Sequence, residues 1–400
     1  MALSPKSDAG AVKLPGEVKA LGFVSLFNDA ASEMIYPLIP AFLTTVLGVG
    51  AVSLGALEGF AEALASILKV WSGRWSDKFR KRKAPTVAGY ALSGLARPLM
   101  AATTVFGQLF ALRLLDRVGK GIRSAPRDAM IADIVPPAIR GRAYGYQRAL
   151  DHLGAVIGPL LASGLLLLMP AQMPRDQQLR WVFALAALPV VGALAVLIFG
   201  VRERAVAMKS VVKLKAALKA HFWKYLLCVF VFTLGNSSDA FLLLRAQDLG
   251  VSLALIPILW SAFHIVKSVT ATPGGRLSDR FGRFTILALG WGWYALVYVG
   301  FAFAGTAWHV WALFLVYGVY FGLAEGVERA FVVDLVGDEN RGYAFGWFHL
   351  AVGIAALPAS LIFGLIWTAF SPQAAFLTGA GLAGVAVILL TLLVHRPARA

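Results

Sequence analysis

The sequence predicts an all-α integral membrane protein with twelve transmembrane helices in two six-helix bundles, and three observations carry that reading. Hydrophobic residues make up 59% of the chain and charged residues only 14%, against roughly 25% charged in a soluble domain. Twelve apolar segments can be marked, most of them reaching the roughly 20 residues that cross a bilayer core. The second half also repeats the first. Gly73-Arg74-Trp75-Ser76-Asp77-Lys78-Phe79 returns as Gly275-Arg276-Leu277-Ser278-Asp279-Arg280-Phe281, an offset of 275 − 73 = 202. Asp133, Arg140, Gly141, Ala143 and Gly145 return as Asp334, Arg341, Gly342, Ala344 and Gly346, each shifted by 201. A duplicated membrane unit points to transport through a site between the halves.

In order, the segments run 20–47, 53–75, 84–105, 107–134, 143–169 and 181–201, then 223–246, 253–277, 284–305, 308–336, 343–369 and 375–394. They are continuously apolar rather than alternating with period two, which favours helices over a barrel. The chain thus divides into a bundle over 1–201, a linker over 202–222 and a bundle over 223–400. In the linker, Lys209, Lys213, Lys215 and Lys219 interleave with Met208, Val211, Val212, Leu214 and Leu218. That pattern suits an amphipathic helix lying on the membrane surface and tethering the halves.

The net charge of +16 does not imply nucleic acid, because of where the charge sits. Basic residues gather at alternate segment ends: Lys78 to Lys83, Arg140 and Arg142, Arg202 to Lys219, Arg280 and Arg283, Arg341, and Arg396. By the positive-inside rule both termini are cytoplasmic, in a multi-pass protein of a bacterial inner membrane. The single cysteine, Cys228, excludes an internal disulfide and a cysteine-rich metal site. No metal or cofactor is expected, and the polar first 19 residues show no cleavable signal, leaving the first apolar segment as the insertion signal.

The repeated loop resembles the cytoplasmic signature of the major facilitator superfamily, approximately G-x-L-a-D-r-x-G-r-r. The second copy supplies Gly275, Asp279, Arg280, Gly282 and Arg283; the first keeps Gly73 and Asp77 but places Arg80 where glycine is expected. The resemblance spans nearly the whole chain and implies two six-helix bundles around a cavity that opens alternately to each side. Glycine allows close helix approach and an aspartate at a helix end can pair with arginine, so Gly73, Asp77, Gly275, Asp279, Arg280 and Arg283 are candidates for a conformational latch. Gly154, Gly158 and Pro159 resemble the fifth-helix pattern g-x-x-x-G-P-x-x-G-G of proton-coupled exporters, with small residues at the last two glycines. This composition supports a kinked, tightly packed helix between the halves; export is what the resemblance adds.

Ionisable groups inside a bilayer are costly and mark candidate sites. Asp29 and Glu33 sit four residues apart on one face of the first segment, beside Asn28 and followed by Tyr36, Pro37 and Pro40. Two carboxylates in a low-dielectric place favour a proton on at least one, which suits a proton carrier. An ionic lock to a neighbouring helix is the equal alternative for each. Asn236-Ser237-Ser238-Asp239-Ala240 echoes this in the seventh segment, so Asn236 and Asp239 are cavity candidates.

The fourth segment carries Arg113, Arg117 and Lys120 as a stripe on one face. Arg117-Val118-Gly119-Lys120-Gly121 resembles the family's R-x-x-q-G motif. An arginine keeps its proton, so Arg113 or Arg117 is expected to act on a carboxylate such as Asp29 or Glu33. Arg148, Arg245, His264, Lys267 and Glu325 complete the cavity candidates. Several are expected to be matched pairs holding the bundles together, as are Glu58 and Glu62.

Enzyme motifs fail on context: Gly290-Trp291-Gly292-Trp293-Tyr294-Ala295 lies inside an apolar crossing with no strand before it. The sequence therefore reads as a monomeric secondary transporter, not an enzyme, whose partners are the bilayer, protons and a small molecule. The leading reading is proton-coupled efflux of a small amphipathic or anionic molecule. The alternative is uptake of an organic anion by proton symport or exchange.

Overall fold

The computed structural model describes residues 13–79, 82–136, 139–203, 218–336 and 341–394, without the side chains of 70, 73–79, 341 and 342. The described residues form helices that group into twelve crossings. The first is α1 (Gly16–Ile35), a 3-10 turn at Tyr36–Leu38 and α2 (Ile39–Thr45); the second is α3 (Ala51–Phe79). The third is α4 (Lys83–Leu99) with a 3-10 turn, the fourth α5 (Phe106–Ile134), the fifth α6 (Arg140–Leu168), and the sixth α7 (Arg175–Leu185) with α8 (Ala187–Gly200). In the second half, α9 (Ala220–Gly235) and α10 (Ala240–Asp248) share the seventh crossing. Then follow α11 (Ile256–Phe281), α12 (Arg283–Phe303), α13 (Ala307–Val336), α14 (Arg341–Ala369) and α15 (Pro372–Leu393).

Eight of these crossings are long and apolar enough to span a membrane on length and composition alone. The first, third, fourth and eighth are not among them. The third is short at 17 residues in α4, whereas α1, α5 and α11 carry the charges singled out above. Low hydropathy here marks the interior of the bundle rather than a missing crossing.

Two of the crossings are broken at equivalent depths. Pro37 and Pro40 follow α1 and turn the chain through a 3-10 step, since proline cannot continue the helical hydrogen-bond ladder. The seventh crossing breaks at Asn236, whose backbone leaves the helix at φ −98°, ψ 80°. These breaks meet: the Tyr36 hydroxyl lies 3.4 Å from that of Ser238. Further out, Gln247 Nε2 donates to Thr44 Oγ1 at 2.9 Å. Each partner is separated from the other by about the repeat offset, so a two-fold axis passes between these crossings.

The same symmetry relates the two main seams, α3 against α14 and α11 against α6. Gly55 and Gly364 let α3 and α14 approach until backbone meets backbone: a Cβ on either would collide with the carbonyl oxygen of Ser360 or Ala51. On the other seam Ser163 Oγ donates to Ala254 O at 2.6 Å and Ser261 Oγ to Val156 O at 2.7 Å. All of these contacts lie between the middle of the helices and the face opposite the chain termini. The bundle is thus sealed on that face.

Three expectations change. Gly154 and Gly158 pack against Leu26 and Ala30 of α1, inside the first half, rather than between the halves. It is the other face of α6 that meets α11. The first loop copy is also not a glycine-to-arginine exchange. Arg82 pairs with Asp133 at 3.4 Å, and Arg283 pairs with Asp334; both partners are offset by 201. Between Phe281 and Arg283 there is one residue, Gly282, while two residues, Arg80 and Lys81, lie between Phe79 and Arg82. The first copy is one residue longer.

Finally, Gly275 makes no close approach, and Asp279 stands exposed with no ion-pair partner among the described residues. Arg280 lies over the ring of Phe281. The ion pair of this junction belongs to Arg283. Gly73 and Asp77 lie in α3, but the Asp77 side chain, Arg80 and most of the linker fall outside the described residues.

Gly282 sits at φ +93°, a conformation that costs a side-chain-bearing residue about 1–3 kcal/mol. Gly282→Ala is therefore expected to lower thermal stability in detergent by that order, while Gly275→Ala, with open space around its Cβ, leaves it unchanged. Parallel melting curves of the two variants check this.

Candidate functional site

The polar interior of the first half is a continuous network. Arg113 grips Glu58 through Nε to Oε1 at 2.9 Å and Nη2 to Oε2 at 3.0 Å. Its Nη1 also lies 3.5 Å from Asp116. Asp116 receives Arg97 Nε at 3.0 Å. Arg97 Nη1 then reaches back to α1, donating to the backbone oxygen and Oδ1 of Asn28 at 3.1 and 3.0 Å. Asn28 Nδ2 in turn donates to Asp29 Oδ1 at 2.9 Å. Glu58, Arg97, Arg113 and Asp116 are all buried. Such charges persist in a low-dielectric interior only when paired with good geometry, which the bidentate Arg113–Glu58 contact supplies.

The stripe on α5 acts less directly than expected. Arg113 is bound to Glu58, and its influence on Glu33, like that of Arg117, is a longer-range electrostatic one. Arg117 approaches Glu58 only to 3.9 Å, and its Nε is buried without a hydrogen-bond partner among the described residues. Lys120, half-buried one turn on, has no ion-pair partner among the described residues.

Glu33 stands apart from this network and crosses the seam. Its Oε2 accepts a hydrogen bond from Trp260 Nε1 of α11 at 2.8 Å and lies 4.0 Å from His264 Nε2. Tyr36 packs against Trp260 at 5.2 Å between centroids, and Trp260 against Phe263 at 4.8 Å. The Arg113 guanidinium lies 5.5 Å from the Tyr36 ring centre, joining the ionic network to this aromatic wall. Glu33 is thus a mid-depth carboxylate held by one neutral donor, at the boundary between the two halves.

The remaining candidates fall into three groups. Asp239 accepts from Tyr317 at 2.6 Å beside the helix break, with Asn236 in the break itself. Lys267 pairs with Glu325 at 3.0 Å and lies over the Phe321 ring, and Glu325 also meets Arg329. Arg148 pairs with Asp151 and is half exposed. Arg245 is elsewhere: buried near the sealed face, it caps the carbonyl of Ala304 at 2.7 Å, a structural duty. Trp260 carries no charge and so is not singled out by a search for intramembrane ionisable groups. The available signal was its spacing, four residues before His264 on one helix face.

Two segments of the chain, residues 21–245 and 225–400, match the model of the Major Facilitator Superfamily. The chain belongs to this superfamily. Its relatives include an uncharacterized MFS-type transporter, MJ1317, of Methanocaldococcus jannaschii, 35% identical over 94% of this chain and 95% of that one. The Mycobacterium tuberculosis protein Rv2265 is 28% identical over 88% of this chain and 86% of its own. A shorter match, 31% identical over 34% of this chain and 33% of that one, falls on the multidrug resistance protein MdtH of Proteus mirabilis.

Among solved structures, a bacterial homolog of the human lysosomal transporter Spinster, inward-facing and unoccupied, superposes with TM-score 0.75 at 15% identity. It covers 96% of each chain. The nucleoside transporter NupG gives 0.76 at 14% identity over 94% of this chain and 98% of that one. These likenesses show the fold. As a member of the Major Facilitator Superfamily the chain is a multi-pass membrane protein and a secondary transporter of small molecules.

Removing one partner of a buried ion pair costs about 3–5 kcal/mol, so Glu58→Gln is expected to destabilise the protein by that order. Glu33→Gln keeps an oxygen to accept the Trp260 N–H and is expected to cost no more than about 1 kcal/mol. Denaturant or thermal unfolding in one detergent separates the two.

Proposed function

We propose that this transporter exports a small amphipathic molecule across a bacterial inner membrane in exchange for protons, with Glu33 as the residue that trades one for the other. The observation that carries the reading is the isolation of Glu33. Glu58 and Asp116 are held by arginines and Asp29 by Asn28 within its own half. Glu33 instead takes its one hydrogen bond among the described residues from a neutral donor in the other half and faces aromatic rings. A buried carboxylate without a cation is stable when protonated or when a ligand supplies positive charge or donors. Proton and substrate then compete for one group, which is the thermodynamic requirement of antiport. The glycine-proline pattern of α6 and the partial likeness to MdtH support the outward direction. The termini face is taken as cytoplasmic from the distribution of basic residues.

A second reading is favoured by Arg117 and Lys120, two cations one turn apart without full partners. An organic anion bound there would be helped, not hindered, by a proton on Glu33, because the proton removes a neighbouring negative charge. Proton and anion binding would then reinforce each other, which is symport. The charge of the substrate therefore decides the direction of coupling.

In proteoliposomes with an imposed pH gradient, antiport moves substrate against the proton flow and symport moves it along. A screen of cationic, neutral and anionic amphipaths is expected to find movement opposite to the proton flow, lost by at least about tenfold in Glu33→Gln and retained in Asp29→Asn. Tenfold corresponds to about 1.4 kcal/mol of coupling. Transport by Glu33→Gln at the wild-type rate, at matched expression, would sink the assignment.

A further inference from the structure

We propose that Glu33 and His264 form one proton-binding pair across the seam between the halves, holding a single shared proton while the site is empty. The inference rests on the proton-coupled reading above and names a second residue for it. Glu33 Oε2 and His264 Nε2 lie 4.0 Å apart, so a shift of roughly 1 Å makes a hydrogen bond. His264 follows Trp260 by four residues on the same face of α11, and the two rings meet edge to face at 5.0 Å and 82°.

Both imidazole nitrogens are buried and lack a hydrogen-bond partner among the described residues. A neutral imidazole offers one donor and one acceptor, and both stand unused. An imidazole in this position with nothing to bind, beside a carboxylate with one neutral donor, is a matched pair.

The surroundings fix the number of protons. Arg113, Arg117 and Lys120 of α5 act electrostatically on Glu33, as does Asp239 at the start of α10. His264 feels Lys267 of its own helix, His152 of α6 and Glu325 of α13. Arg113 is neutralised by Glu58, and Lys267 by Glu325. With no proton, Glu33 is a buried charge with one neutral hydrogen-bond donor, offset at longer range by Arg117 and Lys120. With two, that negative charge is lost and an imidazolium joins Arg117 and Lys120, which Glu58 at 3.9 Å and Glu62 offset in part. One proton gives either carboxylate with imidazolium or carboxylic acid with neutral imidazole, two arrangements of the same atoms.

The pair then ties α1 of one half to α11 of the other. A substrate bearing a cationic or N–H donor group takes the carboxylate, one proton leaves the pair for water, and the tie between halves is broken. Trp260 is the positioning residue, keeping the carboxylate on the seam in competition with His264.

The test is a pH titration of the full-length protein in lipid nanodiscs, with 15N-labelled histidines followed by NMR and His264 assigned through His264→Gln. Coupled sites interact by about one pH unit or more. Glu33→Gln is therefore expected to move the His264 transition by at least about that amount toward acid, because it removes the negative partner. Asp29→Asn leaves it in place. Trp260→Phe, which keeps a ring but releases the carboxylate, moves it the other way. An unmoved His264 transition in folded, monodisperse Glu33→Gln overturns the pair, as does an equal shift in Asp29→Asn. A transition that moves as expected in a protein without proton-driven transport supports the pair and refutes only the coupling above.

Discussion

Buried charge must be neutralised, and this constraint organises the first half of the transporter. The network from Glu58 through Arg113, Asp116 and Arg97 to Asn28 binds four crossings together in a low-dielectric interior. Each partner depends on the next, since a lone guanidinium or carboxylate here would be destabilising by several kcal/mol. The network also determines what is left over. By committing Arg113 and Arg97 to Glu58 and Asp116, it leaves Glu33 without an arginine in contact and Arg117 with Glu58 only at 3.9 Å. The reactive character of the centre is a remainder of its structural pairing.

Much of the fold was legible in the sequence because duplication and hydropathy are one-dimensional signals. The repeated loop, the twelve crossings and the charge asymmetry need no partner to be read. Even the loop's ion pairs carry a trace: Asp133 and Asp334 were visible as a repeat, though Arg82 and Arg283 were not recognised as their partners. The motif drew attention to Asp77 and Asp279 instead. The one-residue length difference hid the alignment of Arg82 with Arg283, and pairing depends on three-dimensional neighbours.

The site was less legible for the same reason. Asp29 and Glu33 look equivalent in sequence, four residues apart on one helix face. Their surroundings separate them: Asp29 is tied through Asn28 to Arg97 within its half, and Glu33 reaches Trp260 in the other. Likewise Arg113 and Arg117 look interchangeable, yet only Arg113 has a bidentate partner. Arg245 resembled a cavity residue because it is charged within an apolar stretch, while the helix end it caps lies nearly sixty residues further along, at Ala304. Periodicity assigns faces of a helix; it does not say what stands opposite.

The two halves share a fold but have divided its physics between them. Among the described residues, the buried charged side chains are Glu58, Arg82, Arg97, Arg113, Asp116, Arg117 and Arg123 in the first half, against Arg245 alone in the second. The second half fills the same volume with stacked aromatics, including Phe232 on Trp291 and Tyr294 on Tyr298. An ionic bundle resists rearrangement because every pair must stay made, and an aromatic bundle offers shape without charge. Alternating access moves one against the other as bodies. The contacts that must change in that motion are those at the seam, where a carboxylate from the ionic half meets an indole and an imidazole from the aromatic one. In the proposed proton-coupled cycle, protonation there would alter the attraction between the bodies without disturbing the packing inside either. That is the physical condition for a proton to drive the conformational cycle rather than to unfold it.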